Sequence, residues 1–101
     1  MVREGDLVAI FNNIHRVMKA EKLLKERRLD ILLIPAPRAL SSDCGLAIRY
    51  SGAIREDVEG ILAEAGLVPE ECHQRHGETF VRIDLPEHRQ GVGGAGSDPS
   101  D

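Results

Sequence analysis

Two segments with helical periodicity, set between short apolar runs, most restrict what this chain can fold into. Residues 13–28 carry apolar side chains at helical spacing, and so do residues 54–66. Four other runs, which are apolar or alternate between apolar and polar residues, predict strands at 6–11, 31–34, 44–50 and 78–85. The predicted order of elements is therefore β-α-β-β-α-β.

This order predicts an α+β fold of the ferredoxin-like type. Two helices in so short a chain fit one face of a four-stranded antiparallel sheet, and right-handed crossovers give the strand order 4-1-3-2. The 101 residues suffice for one compact domain, which we assign to residues 1–86. The Gly- and Ser-rich residues 87–101 predict a disordered tail. The polar segment 67–77 is predicted to be a loop.

The composition argues against several classes of protein. The net charge is −4 and Lys and Arg form no stripe, so we expect no nucleic-acid partner. No apolar run approaches the length of a membrane span, and the first residues lack the pattern of a signal peptide. Two cysteines are too few for a disulfide scaffold. We therefore expect a cytoplasmic protein with reduced thiols, no membrane partner and no cofactor.

The predicted topology brings reactive side chains together at one rim of the sheet. Strand 1 ends, helix 1 begins and strand 3 starts at this rim, beside the loops at 35–43 and 67–77. The rim would collect two cysteines, an arginine and three histidines, namely Cys44, Cys72, Arg38, His15, His73 and His76. We expect Cys72 to come close to Cys44 there.

Cys44 is the main candidate for a functional residue on this rim. It shares the parity of Leu46 and Ile48, which places it where the helix-covered face meets the rim, sheltered but reachable. Gly45 allows another backbone to approach closely, while Arg38 and the N-terminus of helix 1 favour the thiolate form. The alternative is an inert core residue, since cysteines outside disulfides are among the most buried residue types.

The histidines carry weaker signals. At ~100° per residue, His15 points nearly opposite the apolar face of helix 1, which favours an exposed or capping role. Cys72, His73 and His76 would complete a Cys₂His₂ set with Cys44, which suits zinc. No Cys-x-x-Cys element supports that set, so a polar surface loop is the better interpretation and no metal ligand is assigned.

The stretches FNNIHRVMKAEKLLKE and LIPAPRALSSDCGLAIRY resemble a family of small bacterial proteins described as selenium/sulfur carrier protein-like. The family pattern is a Phe that ends strand 1, a His early in helix 1, an Ala-Glu pair, a Pro-x-Pro-Arg stretch, and a Ser-rich turn before Cys-Gly. In this sequence the pattern falls on Phe11, His15, Ala20, Glu21, Ile34 to Arg38, Ser41, Ser42, Cys44 and Gly45. The similarity covers residues 6 to 66.

The resemblance implies a carrier that holds sulfur as a persulfide, or selenium in its place, on Cys44. Its partners would be sulfur or selenium donor and acceptor proteins. Cys72, which the predicted topology brings to the same rim, is a candidate second thiol. The residues predicted to support Cys44 are Arg38, Ser42, Gly45 and His15. A carrier needs a thiolate that accepts a chalcogen atom and yields it again, so no enzymatic activity beyond transfer is assigned.

Two other functions stay open at this point. One is a small-ligand-binding module, or a homodimer formed through a sheet edge, in which Cys44 is structural. The other is a small protein with a Cys/His metal site. Fold alone does not choose among the three.

Overall fold

The computed structural model describes residues 2–40 and 44–84. Within these ranges the chain forms two α-helices and five strands, with one turn of 3₁₀ helix at Gly52–Ile54. In chain order the elements are β1 (Leu7–Ile10), α1 (Ile14–Glu26), β2 (Ile31–Pro35), β3 (Leu46–Tyr50), α2 (Arg55–Glu64), β4 (Glu71–His76) and β5 (Thr79–Ile83). The predicted α+β class is confirmed. Ser41, Ser42 and the predicted tail at 87–101 lie outside the described residues.

The five strands form one antiparallel sheet in the order β2-β3-β1-β4-β5. The predicted four-stranded sheet is therefore wrong. Residues 71–76, predicted to be a loop, form β4 and pair with β1. The segment predicted as the last strand is β5, which pairs with β4 at the edge of the sheet. β4, and not the strand predicted to be the last one, lies beside β1. The predicted ferredoxin-like arrangement of four strands is therefore not the one that forms.

A tight hairpin explains why the polar segment 71–76 becomes a strand. His76 pairs with Thr79, so only two residues connect β4 to β5. The first of them, Gly77, has a φ of 63°, a left-handed value that tight hairpin turns require and that glycine adopts at little cost. β4 lies between two strands, which satisfies its backbone hydrogen bonds even though five of its six side chains are charged or polar.

The main core lies between the two helices and one face of the sheet. α1 contributes Val17, Ala20 and Leu24, and α2 contributes Val58 and Leu62. The sheet residues that meet them share one parity along their strands and include Leu7, Ala9, Phe11, Ile48, Tyr50 and Cys72. The prediction that both helices pack on one face is confirmed. We call this face the helix-covered face, and the opposite one the helix-free face.

The helix-free face carries a second, smaller core. Val8, Ile10, Ile34 and Ala47 are buried there together with Leu40. Beside them, Arg49 Nη1 lies 3.0 Å from Oδ2 of the buried Asp6. β1 is therefore buried on both faces of the sheet. Its C-terminal end lies beside Cys44.

Asn13 caps the N-terminus of α1: its Oδ1 accepts a hydrogen bond from the Arg16 amide at 2.9 Å. We expect Asn13→Ala to lower the free energy of unfolding by about 1 kcal/mol, because the amide loses its partner. Urea titration measures the change. Lys19→Ala is the matched control, since Lys19 is also exposed on α1 but lies beyond the cap. Equal losses in the two variants would contradict the assignment.

Candidate functional site

Cys44 lies just before β3, at the rim where β1 ends and α1 begins. Its Sγ is 3.4 Å from the carbonyl oxygen of Leu46 and 3.7 Å from that of Phe11. Both oxygens are acceptors, so the S–H group donates to them. The side chain is only partly buried and packs against the main core. The Cys44 side chain thus packs against the main core and remains partly exposed at the rim.

Gly45 sets the direction of the chain between Cys44 and β3. Its φ of 75° lies in the left-handed region, where a side chain would be strained. Its carbonyl oxygen accepts from the Ala36 amide at 3.0 Å, which continues the pairing of β2 with β3. Among the described residues other than its chain neighbours, no atom lies within 4 Å of where its Cβ would be. The left-handed backbone conformation is therefore what requires glycine within the described structure, and a close approach of another backbone stays a prediction.

The other residues predicted to support Cys44 are at the surface or outside the described ranges. Arg38 is exposed in the segment that follows β2. His15 is exposed in the first turn of α1, where Asn13 and not His15 provides the cap. Ser42 falls within the residues that the structure does not describe. A supporting role for these three residues stays a prediction.

Cys72 does not lie in a rim loop, as the sequence predicted, but within β4 opposite Ala9. It is fully buried in the main core, and its Sγ is 3.3 Å from the Tyr50 hydroxyl oxygen. Burial raises the pKa of the Cys72 thiol to about 11, although the Tyr50 hydrogen bond acts in the opposite direction. Burial likewise raises the pKa of Tyr50, with a further contribution from Cys72. Both cysteines are described, and no disulfide joins them.

The predicted grouping of Cys72, His73 and His76 at the rim is also wrong. Neighbouring residues of a strand point to opposite faces, so Cys72 and His73 cannot bind one ion together. His73 Nε2 instead lies 3.0 Å from Glu71 Oε1. His76 is at the far end of β4, beside the β4–β5 turn. Within 2–40 and 44–84 no three His, Cys, Asp or Glu side chains form a cluster that could hold a metal ion.

A cleft of about 630 Å³ opens at the same rim, and sequence analysis did not predict it. Its walls come from the start of α1, the α2–β4 connection and β5, and include Asn12, Arg16, Gly66, Val68, Glu70 and Arg82. Arg16 Nη2 donates to the carbonyl oxygens of Gly66 and Val68, at 3.2 Å each. The sequence holds no signal for these two contacts, because they depend on the path of the connection.

Cys44 and this cleft lie on opposite sides of the end of β1. The Phe11 carbonyl faces Cys44 on the β3 side, whereas the Ile10 carbonyl accepts from the Glu70 amide, at 2.8 Å, on the β4 side. Asn12, the next residue, lines the cleft. The Cys44 thiol and the charged cleft therefore lie on either side of residues 10–12.

Residues 6–74, which run from the residue before β1 into β4, match the protein family described as "Putative Se/S carrier protein-like". The chain belongs to this family. The matched segment of this carrier-like protein contains Cys44, Arg16 and Glu70. No curated protein and no solved structure matches the chain. In the described part of the chain, neither helix has the length and apolar character that a membrane span requires.

Proposed function

We propose that this member of the Se/S carrier-like family carries sulfur as a persulfide, or selenium in its place, on Cys44. Family membership supports the carrier class. The choice of residue rests on one contrast: Cys44 is partly exposed at the rim, whereas Cys72 is fully buried and burial raises its thiol pKa to about 11. A partner protein can reach Cys44 without opening the core.

The transfer balances without an added oxidant or reductant. The Cys44 thiolate attacks the outer sulfur of a donor persulfide, the bond between the two donor sulfurs breaks, and the donor cysteine leaves as a thiolate. An acceptor thiolate then attacks the outer sulfur on Cys44, and Cys44 leaves as a thiolate. The Cys44 thiol, which donates to two carbonyl oxygens, must lose its proton first because only the thiolate is nucleophilic. Arg38 and the N-terminus of α1 are the groups that we propose to stabilise the thiolate.

The partners in this proposal are donor and acceptor proteins in the cytoplasm.

The packing of Cys44 against the core and its two carbonyl acceptors favour a second candidate, a binding or dimerisation module in which Cys44 is structural. The two candidates differ in whether the native thiol accepts a sulfur atom.

Loading of the native protein with a small persulfide donor, glutathione persulfide, tests the proposal. We expect intact-mass spectrometry to show one added sulfur on wild type and on Cys72→Ser, and none on Cys44→Ser. Circular dichroism of both variants checks that each stays folded. Equal loading of Cys44→Ser and wild type would refute the carrier role of Cys44, and failure of the folded wild type to load would favour the structural candidate.

A further inference from the structure

The cleft beside β1 presents one cation and one carboxylate that make no ion pair within the described residues, Arg16 and Glu70. Two backbone carbonyls hold the Arg16 guanidinium through Nη2, which leaves Nε and Nη1 for another acceptor. Glu70 is anchored through its amide to Ile10 and its side chain is exposed. The cleft therefore offers opposite charges on fixed supports.

The other two charged residues of the cleft already have partners. Arg82 Nη1 lies 3.7 Å from Glu71 Oε2, and Glu71 Oε1 also faces His73. The hydrogen bond with His73, followed by the charge of Arg82, lowers the pKa of the Glu71 carboxyl, which is therefore ionised at neutral pH. These residues close one wall of the cleft, and Arg16 and Glu70 are left to bind a ligand.

We infer that this cleft binds a free α-amino acid, a ligand that goes beyond the proposed function of Cys44. Arg16, with the Asn12 amide beside it, would bind the carboxylate, and Glu70 would bind the ammonium group. A zwitterion satisfies both charges at once, whereas an ion of one sign leaves the other charge unpaired. The volume of about 630 Å³ is in the range of small-molecule sites.

The cleft binds this ligand apart from Cys44. Adjacent strands are ~4.8 Å apart, so segments on either side of β1 are separated by ~10 Å. The side chain of a free cysteine is much shorter than this separation, so a ligand held by Arg16 and Glu70 does not touch the Cys44 thiol. Binding can therefore be measured in a variant that lacks this thiol.

Calorimetry on the full chain carrying Cys44→Ser tests binding separately from sulfur transfer. The probes are L-cysteine, 3-mercaptopropionate, which lacks the ammonium group, and cysteamine, which lacks the carboxylate. We expect L-cysteine to bind most tightly. Glu70→Gln should weaken L-cysteine binding roughly tenfold and leave 3-mercaptopropionate unchanged, because only the ammonium contact is lost. Arg16→Gln should weaken both acids and leave cysteamine unchanged.

Glu56→Gln, at the far end of α2 and outside this cleft, is the matched control and should change none of the affinities. The inference fails if L-cysteine binds no more tightly than the two truncated thiols, or if Glu70→Gln weakens 3-mercaptopropionate as much as L-cysteine. Sulfur loading of the wild-type protein is scored independently. A protein that loads sulfur but binds no L-cysteine contradicts the inference alone. One that binds L-cysteine but loads no sulfur contradicts the proposed function and leaves amino-acid binding standing.

Discussion

At pH 7.5 Cys44 is expected to react with iodoacetamide at least a hundredfold faster than Cys72 in the folded protein. Only the thiolate reacts, and burial raises the pKa of the Cys72 thiol from 9.0 to about 11. A rise of two units in the pKa reduces the thiolate fraction of Cys72 at pH 7.5 roughly a hundredfold. The reagent must also enter the core to reach Cys72, whereas Cys44 is partly exposed at the rim.

Two matched variants isolate the two reactions. Cys72→Ser leaves Cys44 as the reporting thiol, and Cys44→Ser leaves Cys72. Mass spectrometry of timed samples gives the alkylation rate of each thiol. A pH series then compares the Cys72→Ser protein with the double variant Cys72→Ser, Arg38→Ala. A slower reaction of Cys44 in the double variant would show that Arg38 promotes the reaction. If Cys44 reacts only after denaturation, it is a core residue, and the binding or dimerisation module replaces the carrier.

Alkaline pH is expected to destabilise the fold through the same buried thiol. The pKa of Cys72 is raised in the folded state, so the unfolded chain loses this proton first as the pH rises. The full contribution of Cys72 to stability is present below pH 9 and is lost as the pH rises toward 11. By pH 10.5 the free energy of unfolding should fall by about 2 kcal/mol from Cys72 alone. Tyr50, whose pKa burial also raises, adds to the loss above pH 10.

Cys72→Ser supplies the control, because the serine hydroxyl can hydrogen-bond with Tyr50 as the thiol does but does not titrate in this range. Urea unfolding at pH 7.5 and at pH 10.5 gives the change in stability for each protein. Groups that do not contact Cys72 cancel in the comparison, so the wild type should lose about 2 kcal/mol more than Cys72→Ser, and Tyr50 adds to this difference through its contact with Cys72. Equal losses would show that Cys72 ionises in the fold as readily as it does in the unfolded chain.

The helices and the first three strands could be predicted because their apolar residues repeat regularly. Val17, Ala20 and Leu24 mark the buried stripe of α1, and those positions are buried in the structure. β4 could not be predicted from apolar content, since its helix-free face carries Glu71 and His73. One signal was available: Gly77 followed by a single polar residue, directly before the alternating stretch at 79–83, is typical of a hairpin turn.

The error in β4 accounts for the errors in the site. If residues 71–76 are taken as a loop, topology sends Cys72 to the rim, where a Cys/His metal set with His73 and His76 has to be considered as an alternative. Cys44 was placed correctly beside the end of β1 because its position depends only on β1 and β3. Arg16 was not identified, because its contacts with Gly66 and Val68 require knowing how α2 connects to β4.

The central position of β1 affects how the chain must fold during synthesis. Of the described strands, β1 leaves the ribosome first, yet its two neighbours are β3 and β4, and the second of these begins only at Glu71. Until then at least one edge of an apolar strand has no partner, and such an edge is a template for association with another chain. A nascent or truncated chain that stops before β4 therefore exposes one edge of β1, a strand that is buried at every position in the complete fold, and this edge can pair with another chain until β4 has been synthesised.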